Sequence, residues 1–285
     1  MTRTRSAAAQ RPGLPRRRRF GQHFLAPEWA QKVVRAVAPA PGDAFLEIGP
    51  GTGALTLPLA SSGAPILAVE IDRDLAAHLA SRVPANVTLM TADFLQQDVI
   101  PFLTGLEPQR PPGTDTRAPR RVRVVGNLPY NLSSPILFRL IDLYRQHGLF
   151  ADATLMVQRE VADRLAAQPG TKAYGTLTVS AQLHTRITPL LQLPPGAFRP
   201  APRVHSTVVR LEFGPPSVRI LDEALFDRLV RALFGARRKM LGNALKQFDP
   251  RGADVLARSG LDGRRRPETL EVAEFGKLAE LFSRP

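Results

Sequence analysis

A glycine-rich turn placed directly after a short apolar run limits the architectures that this chain can adopt. The run covers residues 44–48, and the turn that follows is Gly49-Pro50-Gly51-Thr52-Gly53. An apolar run of this length predicts a buried strand of a parallel sheet. Glycines let a turn approach a ligand closely, and in open α/β sheets ligands bind beyond the carboxyl ends of the strands. The pattern therefore predicts an α/β fold with a ligand site at this turn.

Strand-like and helix-like segments alternate along the following part of the chain. Predicted strands cover residues 44–48, 66–71, 87–91, 122–126, 153–158, 176–183 and 206–213. Predicted helices cover residues 27–38, 54–61, 73–82, 134–146 and 159–167. The alternation predicts a doubly wound, Rossmann-like sheet. Because residues 184–205 hold no clear crossover helix, the last two strands are expected to pair antiparallel.

The pattern changes after about residue 216, where only helix-like segments remain. They cover residues 222–234, 237–247, 251–259 and 269–282. We therefore expect a disordered basic arm at residues 1–19, an α/β domain at residues 20–215 and a small all-helical C-terminal domain at residues 216–285. The α/β domain also carries a proline-rich polar stretch at residues 105–121, which predicts a loop insertion.

Basic residues strongly outnumber acidic ones. The formal net charge is +14 and the isoelectric point is about 11.3, which favours a polyanionic partner such as nucleic acid. Residues 1–21 carry seven arginines and no acid, so half of the excess charge lies elsewhere. An arginine-rich head is also typical of a transit peptide, but Pro12 and Pro15 oppose the amphipathic helix that such a peptide needs. A flexible RNA-binding arm is therefore favoured.

Composition also excludes several kinds of site. The chain has no cysteine, which excludes disulfides, thiolate zinc sites and a cysteine nucleophile. Its five histidines are scattered, so no metal site is expected. No apolar run reaches the ~18 residues of a membrane span. A cysteine-free chain without a span fits a cytoplasmic location.

Two acidic residues follow later strands of the predicted sheet. Glu70 lies 19 residues after Gly51, at the end of the second predicted strand, where a carboxylate accepts both ribose hydroxyls of a nucleoside. Asp93 ends the third strand and either bonds the amine of an adenine ring or caps a helix. The spacing Gly49-x-Gly51-x-x-Ala54 also satisfies the loose dinucleotide pattern. These residues alone therefore fit two cofactors, a nicotinamide dinucleotide and S-adenosylmethionine.

The segment Asn127-Leu128-Pro129-Tyr130 follows the fourth predicted strand, beside the glycine turn. The amine of adenine or cytosine is a poor nucleophile because its lone pair is delocalised into the ring. Two acceptors aimed at its hydrogens, the Asn127 side-chain oxygen and the Leu128 carbonyl, would direct the lone pair at a sulfonium methyl. Pro129 fixes the backbone, and Tyr130 can stack on a flipped base. The segment predicts an S-adenosylmethionine-dependent methyltransferase of nucleic-acid amines, although a proline turn alone would look similar.

Six segments of the chain resemble the ribosomal RNA adenine dimethyltransferase family. They cover residues 20–25, 47–53, 69–72, 127–131, 198–204 and 234–239. Members of the family transfer two methyl groups to N6 of adenine. The resemblance implies the housekeeping branch, which dimethylates two adjacent adenosines near the 3′ end of small-subunit ribosomal RNA during subunit maturation. The macrolide-resistance branch acts on large-subunit RNA and typically carries isoleucine at the position of Leu128.

The resemblance also implies site residues and partners. Cofactor contacts are expected at the glycine turn and at the ends of the strands, namely at His23, Leu25, Gly49, Gly51, Glu70, Asp93 and Asn127. His23 stands where the family usually has asparagine, and either side chain can donate a hydrogen bond. The expected partners are the small ribosomal subunit and its RNA, with no metal and no membrane, and the protein is expected to be a monomer.

Two further features point to RNA. Phe198, in a proline-rich loop, is expected to stack on the base face opposite Tyr130, unless it is a core phenylalanine. Arg237, Arg238 and Lys239 are expected on a helix as phosphate contacts that position RNA without reading its sequence. An ordinary solvated helix face is the alternative for these three cations. The loop at residues 105–121 is either an added RNA contact or, as we favour, disordered variation.

Two other classes of function remain as alternatives. A nucleic-acid-binding assembly or transcription factor could keep this fold while catalysis is lost or subordinate, but the intact glycine turn, Glu70 and Asn127 favour an enzyme. A nicotinamide-dependent dehydrogenase would leave the basic charge and the segment around Tyr130 unexplained.

Overall fold

A seven-stranded sheet organises the N-terminal part of the protein. The structure, a computed structural model, describes residues 22–106 and 122–284. The predicted basic arm at residues 1–19 and nearly all of the predicted loop insertion at residues 105–121 lie outside these ranges. The strands are, in chain order, β1 (Phe24–Leu25), β2 (Phe45–Ile48), β3 (Ile66–Glu70), β4 (Val87–Thr91), β5 (Val122–Asn127), β6 (Phe150–Gln158), β7 (Thr185–Leu193), β8 (Phe198–Arg199) and β9 (Ser206–Phe213).

The order of the strands places the ligand crevice. The main sheet runs β4-β3-β2-β5-β6-β9-β7, while β1 and β8 form a separate antiparallel pair. The five strands from β4 to β6 are parallel, and β9 is antiparallel to both β6 and β7. The chain winds outwards from β2 to β4 and then returns to β5, on the other side of β2. Such a reversal opens a crevice at the carboxyl ends of the strands. The sheet confirms the predicted Rossmann-like, doubly wound fold class.

Helices cover both faces of the sheet. They are α1 (Pro27–Val37), α2 (Thr56–Ala60), α3 (Arg73–Ala80), α4 (Ile100–Thr104), α5 (Ser133–His147), α6 (Arg159–Leu165) and α7 (Thr176–His184). Alternate residues of each strand enter opposite apolar layers, as the two-residue period of a strand requires. Leu46 and Val124 belong to one layer, whereas Phe45 and Val125 belong to the other. All four residues of β2 are buried, which explains the continuous apolar run.

The prediction of a strand at residues 176–183 is wrong, because this segment is the helix α7. The helix contacts α5 and α6 on one side and the C-terminal helices on the other, so most of its side chains are buried. A helix buried all round lacks the amphipathic period that would distinguish it from a buried strand. Thr176, Thr178 and Val179 are also β-branched, which favours strand in a single sequence.

Strand β7 was not predicted, and it lies within residues 184–205, which were expected to connect two strands. It pairs antiparallel with β9, so the predicted antiparallel pairing exists but has a different partner. Pro189 obscures this strand in the sequence, since proline cannot donate to a sheet ladder. It is tolerated here because β7 is an edge strand, and the register shifts between Pro189 and Leu191.

The C-terminal part is helical, as predicted. Its helices are α8 (Glu223–Gly235), α9 (Leu241–Phe248), α10 (Gly252–Ser259) and α11 (Val272–Ser283). They share one apolar cluster with Val179 and Leu183 of α7. Arg145 of α5 pairs with Glu223 and Asp227 of α8. The helical part is thus packed directly on the α/β part, and the exact domain boundaries stay a prediction.

Arg237, Arg238 and Lys239 do not lie on a helix, contrary to the prediction of one helix over residues 237–247. They form the turn between α8 and α9. Helix α9 begins only at Leu241, where the N–H groups of Leu241 and Gly242 donate to the carbonyls of Arg265 and Gly263. Those contacts satisfy donors that a helix start leaves without intrahelical partners.

Candidate active site

The glycine turn after β2 requires its glycines. Gly49, Gly51 and Gly53 have φ angles of +70°, +57° and +86°, in the left-handed region that other residues avoid. A Cβ atom at Gly53 would lie 2.6 Å from Leu79 Cδ1, and one at Gly51 would lie 3.3 Å from Phe24 Cε1. The turn therefore presents bare backbone to a cavity at the carboxyl edge of the sheet.

Many of the predicted site residues line this one cavity. They are His23, Leu25, Gly49, Gly51, Glu70, Asn127, Leu128, Pro129 and Tyr130. The sequence separates these residues by more than a hundred positions, and the parallel strands bring them together. The cavity lies where β2 and β5 are adjacent, which is the switch point of the sheet.

Glu70, at the end of β3, is almost fully buried and is anchored by the backbone. One of its oxygens accepts the N–H of Gly51 and the other accepts the N–H of Asp72, each at 2.9 Å. Burial raises the pKa of Glu70, and the two N–H donors partly oppose that rise. A carboxylate has about four acceptor positions, so the ribose hydroxyls of a nucleoside could still bond to it.

Glu47, in β2, is a cavity residue that the sequence reasoning missed. Its side chain is 2% exposed, and its Oε2 atom has no hydrogen-bond partner among the described residues. Burial, with a smaller contribution from the charge of Glu70, raises the pKa of Glu47 to about 7. A carboxylate inside an otherwise apolar strand was the available signal, because such a group is costly to bury without a partner.

Asn127 has one defined amide orientation. Its Nδ2 donates to the main-chain carbonyl of His23 at 2.7 Å. A carbonyl oxygen only accepts, so the amide nitrogen must face His23 and the Oδ1 atom remains as an acceptor. The backbone N–H of Leu128 donates to Met156, whereas no described donor bonds the carbonyl of Leu128. Two neighbouring acceptors are thus available where β5 ends.

Tyr130 closes the end of the cavity next to this segment. Its hydroxyl lies 2.8 Å from Ser206 Oγ, and burial raises its pKa. The ring of His23 stacks on it, with centroids 5.3 Å apart and planes inclined by 27°. The Nδ1 atom of that histidine is hydrogen-bonded to the carbonyl of Pro200 at 2.7 Å.

Phe198 and Asp93 do not line the cavity. Phe198 is 0% exposed and packs in the apolar layer with Leu25, its partner in the β1–β8 pair. In this conformation it is a core phenylalanine with no face open to a base, so the predicted stacking is not seen. The Oδ1 atom of Asp93 accepts the N–H of Leu95 at 2.9 Å, which is a turn-capping contact. A cofactor contact at Asp93 stays a prediction.

The three predicted phosphate contacts have different surroundings. Arg237 donates to the carbonyls of Thr171 and Lys172, at 3.1 and 3.2 Å, and so ties its turn to the α/β part. Lys239 donates to Gln247 at 2.7 Å. Arg238 is exposed and bonds to none of the described residues. Arg238 is thus the most available of the three for a phosphate.

Residues 22–106 and 122–284 contain neither a membrane-spanning helix nor a group of side chains suited to a metal ion. No helix there is long and apolar enough to cross a membrane. No group of three or more histidine and acidic side chains in the same ranges could hold a metal ion.

Comparison with known proteins gives consistent matches over nearly the whole chain. Residues 13–284 match the family described as ribosomal RNA adenine dimethylase. The ribosomal RNA small subunit methyltransferase A of Xylella fastidiosa (strain 9a5c) is 40% identical over 272 residues, which cover 93% of this chain and 95% of that protein. The protein of the same name from Aromatoleum aromaticum is 43% identical over 262 residues, or 91% of each chain.

Solved structures show the same architecture. A dimethyladenosine transferase from Plasmodium falciparum superposes with a TM-score of 0.70 and 25% identity, covering 92% of this chain and 98% of that one. The 23S rRNA methyltransferase ErmE superposes with a TM-score of 0.60 and 24% identity, covering 92% of this chain and 100% of that one. The second likeness concerns the fold alone.

Proposed function

The chain belongs to the ribosomal RNA adenine dimethylase family, and we propose that it dimethylates N6 of two adjacent adenosines near the 3′ end of small-subunit ribosomal RNA. The enzyme is an S-adenosylmethionine-dependent methyltransferase of ribosomal RNA. Its relatives in Xylella and Aromatoleum carry the name of a small-subunit methyltransferase, which supports this choice of subunit. The proposal includes a monomeric enzyme that acts in the cytoplasm, where small subunits mature.

One observation carries the proposed chemistry, namely the fixed orientation of the Asn127 amide. Because its Nδ2 is held by the carbonyl of His23, its oxygen is preorganised as an acceptor beside the carbonyl of Leu128. Two acceptors match the two hydrogens of an unmodified adenine amine. Bonding to both favours a pyramidal nitrogen whose lone pair points into the cavity. Acceptors that need no reorganisation during reaction are an effective form of electrostatic catalysis.

The glycine turn and the carboxylates fit the cofactor. S-adenosylmethionine, when bound, supplies an electrophilic methyl group on a sulfonium. The bare backbone of Gly49 and Gly51 leaves room for it, and Glu70 is placed for the ribose hydroxyls. The unpartnered Oε2 of Glu47 offers a further acceptor in the same cavity. No strong general base is needed, since the methylated amine loses its proton readily to solvent.

The same two acceptors account for a limit of two methyl groups. After the first transfer the amine keeps one hydrogen, so only one of Asn127 Oδ1 and the Leu128 carbonyl can be used. After the second transfer no amine hydrogen remains, and both acceptors lose their bonds to the base. Buried acceptors without donors are unfavourable. The doubly methylated product is therefore expected to leave more readily than the substrate.

The decisive test is methyl transfer from labelled S-adenosylmethionine to ribosomal subunits that lack these methyl groups. We expect N6-dimethyladenosine at two neighbouring positions near the 3′ end of the small-subunit RNA. Fully methylated small subunits and large subunits serve as controls and should take up no label. Label in large-subunit RNA, or no transfer to small subunits, would refute the proposed substrate.

A further inference from the structure

His23 covers the ring on which the target base is expected to stack. Its imidazole and the phenol ring of Tyr130 have centroids 5.3 Å apart. A base between two aromatic rings needs about 7 Å, because each stacking step takes about 3.5 Å. The observed spacing therefore leaves no room for a base between these rings. Either the histidine ring moves or the base does not reach this face of Tyr130.

Two contacts hold the histidine ring in this closed position. Its Nδ1 atom bonds to the carbonyl of Pro200 at 2.7 Å, and its face rests on Tyr130. The ring is otherwise only partly buried, so it can swing outwards without leaving a void in the core. Phe198, the other aromatic residue expected at the base, is fully enclosed in the apolar layer and offers no alternative face.

The main chain of the same residue has a different task. The carbonyl of His23 accepts the Asn127 amide at 2.7 Å and so fixes the catalytic oxygen. A substitution at position 23 keeps that carbonyl while it removes the ring. The two roles of His23 can therefore be separated experimentally.

We propose that the His23 imidazole is a gate on the base site, which closes over Tyr130 and must swing away before the target adenosine can stack there. The inference rests on the proposed capture of an adenine by Tyr130 and Asn127. His23 is a positioning residue, since it acts through Tyr130 and need not touch the reacting atoms. In the empty site the His23 ring occupies the place of the base, so the closed conformation competes with RNA binding. The base can enter only when the contact with Tyr130 and the hydrogen bond to Pro200 are broken.

The test compares three substitutions that keep the main-chain carbonyl. His23→Ala removes the ring and the bond to Pro200, His23→Asn removes the ring and retains a donor, and His23→Phe retains a ring. We expect the KM for small subunits to fall about fivefold in the Ala and Asn variants, the factor expected for loss of one aromatic contact, and to change little in the Phe variant. Because the family resemblance also implies a cofactor contact at His23, the KM is measured at saturating S-adenosylmethionine, and the Kd for the cofactor is measured separately in all three.

A second substitution checks that the effect passes through Tyr130. In a Tyr130→Leu background, His23→Ala should no longer lower the KM. An unchanged or higher KM in His23→Ala with intact Tyr130 would overturn the gate. A weaker Kd for S-adenosylmethionine together with an unchanged KM for small subunits would assign the His23 ring to the cofactor and refute the gate.

A direct measurement keeps this inference separate from the choice of RNA substrate. In NMR spectra of the wild-type protein, the ring current of Tyr130 should shift the His23 imidazole signals, and Tyr130→Leu should remove that shift. Added adenosine should remove it too when saturating S-adenosylhomocysteine already fills the cofactor site, because the nucleoside can then displace the ring only at the base site. If adenosine up to its solubility limit leaves the shift in place, the gate is refuted even where small subunits are methylated. If it removes the shift while no subunit is methylated, the gate stands and the proposed substrate fails.

Discussion

The two edges of the main sheet differ in whether their buried or partly buried polar groups have hydrogen-bond partners. At the amino edge, Arg123 of β5 bonds to Asp43 and Asp152 and also donates to the carbonyls of Val37 and Ala38. Asn127 lies at the carboxyl edge, four residues further along the same strand. Its Nδ2 is bonded to the carbonyl of His23, whereas its Oδ1 atom remains free, within the described part of the chain, to accept a hydrogen bond. Glu47 likewise keeps an oxygen without a partner among the described residues.

This difference separates stability from ligand binding. A buried charge is tolerated when it is paired and hydrogen-bonded, and Arg123 meets that condition. A buried acceptor without a donor is unfavourable in the empty protein and becomes favourable when a ligand supplies the donor. The amino edge, where Arg123 is paired, is therefore expected to stabilise the fold. The carboxyl edge, where acceptors lack donors, is expected to bind cofactor and base. Three substitutions test this division, and two neighbouring cations in the helical part test the same distinction between paired and unpaired groups.

The largest effect is expected for Asn127→Ala. Loss of one preorganised group at a reacting centre should slow methyl transfer about 10³-fold, or about 4 kcal/mol. The thermal midpoint should change little, because Asn127 lies at the end of its strand. Asn243→Ala, an exposed asparagine in α9, is the matched control and should behave as wild type. Single-turnover rates and thermal unfolding measure the two quantities, and an active Asn127→Ala protein would contradict the assignment.

Arg123→Ala should have the reverse profile. The substitution removes the cation that pairs with Asp43 and Asp152, whose side chains are 20% and 14% exposed. The free energy of unfolding should therefore fall by about 3 to 4 kcal/mol. Folded molecules should keep the wild-type transfer rate. Arg186→Ala, which breaks the exposed pair with Glu212 in β9, should cost less than about 1 kcal/mol. If urea denaturation gives equal decreases in the free energy of unfolding for both variants, the ion pairs of Arg123 stabilise the protein no more than an exposed pair does.

Glu47 should make the stability of the empty protein depend on pH. Its pKa is about 7 in the folded protein against an ordinary 4.5, so the folded state binds more protons than the unfolded state between these values. Glu47 should therefore contribute a fall in stability of about 3 kcal/mol as pH rises through this range, and the raised pKa of Glu70 adds to the fall in the same direction.

Glu47→Gln should flatten that slope and leave the variant more stable than wild type above pH 7. Glu28→Gln, at an exposed position of α1, is the control and should keep the wild-type slope. Unfolding free energies measured from pH 4 to pH 8 without cofactor decide the matter. A wild-type slope in Glu47→Gln would show that another group titrates.

The smallest effect concerns the turn between α8 and α9, where paired and unpaired cations are neighbours. Arg238→Ala should lower the slope of log affinity against log salt for small-subunit RNA by about 0.7 to 0.9, the range for one phosphate contact on single-stranded to double-stranded nucleic acid. Arg237→Ala should instead reduce stability, because its guanidinium bonds to Thr171 and Lys172. If Arg237→Ala alone changes the salt slope, the two assignments are reversed.

The sequence predicted those parts of the molecule that depend on local pattern. The glycine turn, the alternation of strands and helices, and the residues after β5 are local signals, and their common position follows from the rule for parallel sheets. Segments whose state depends on distant partners were missed. Helix α7 resembles a strand because it is buried from both sides, and β7 is obscured by Pro189.

The side-chain errors have the same origin. Phe198 is drawn into the core by its pairing with Leu25, which no motif reveals. The turn at residues 237–239 depends on carbonyls of Gly263 and Arg265 that fix the start of α9. Glu47 was overlooked although a lone carboxylate in an apolar strand was a signal, because its position in the cavity emerges only once β2 lies beside β5.

Pro189 also bears on how the protein behaves at high concentration. An outermost strand offers free backbone donors and acceptors to any other chain, and this is a common route to aggregation. A proline in β7, together with the shift of register beside it, removes one donor and bends the strand locally. The exposed border of the sheet is thereby made a poor template for strands of other molecules.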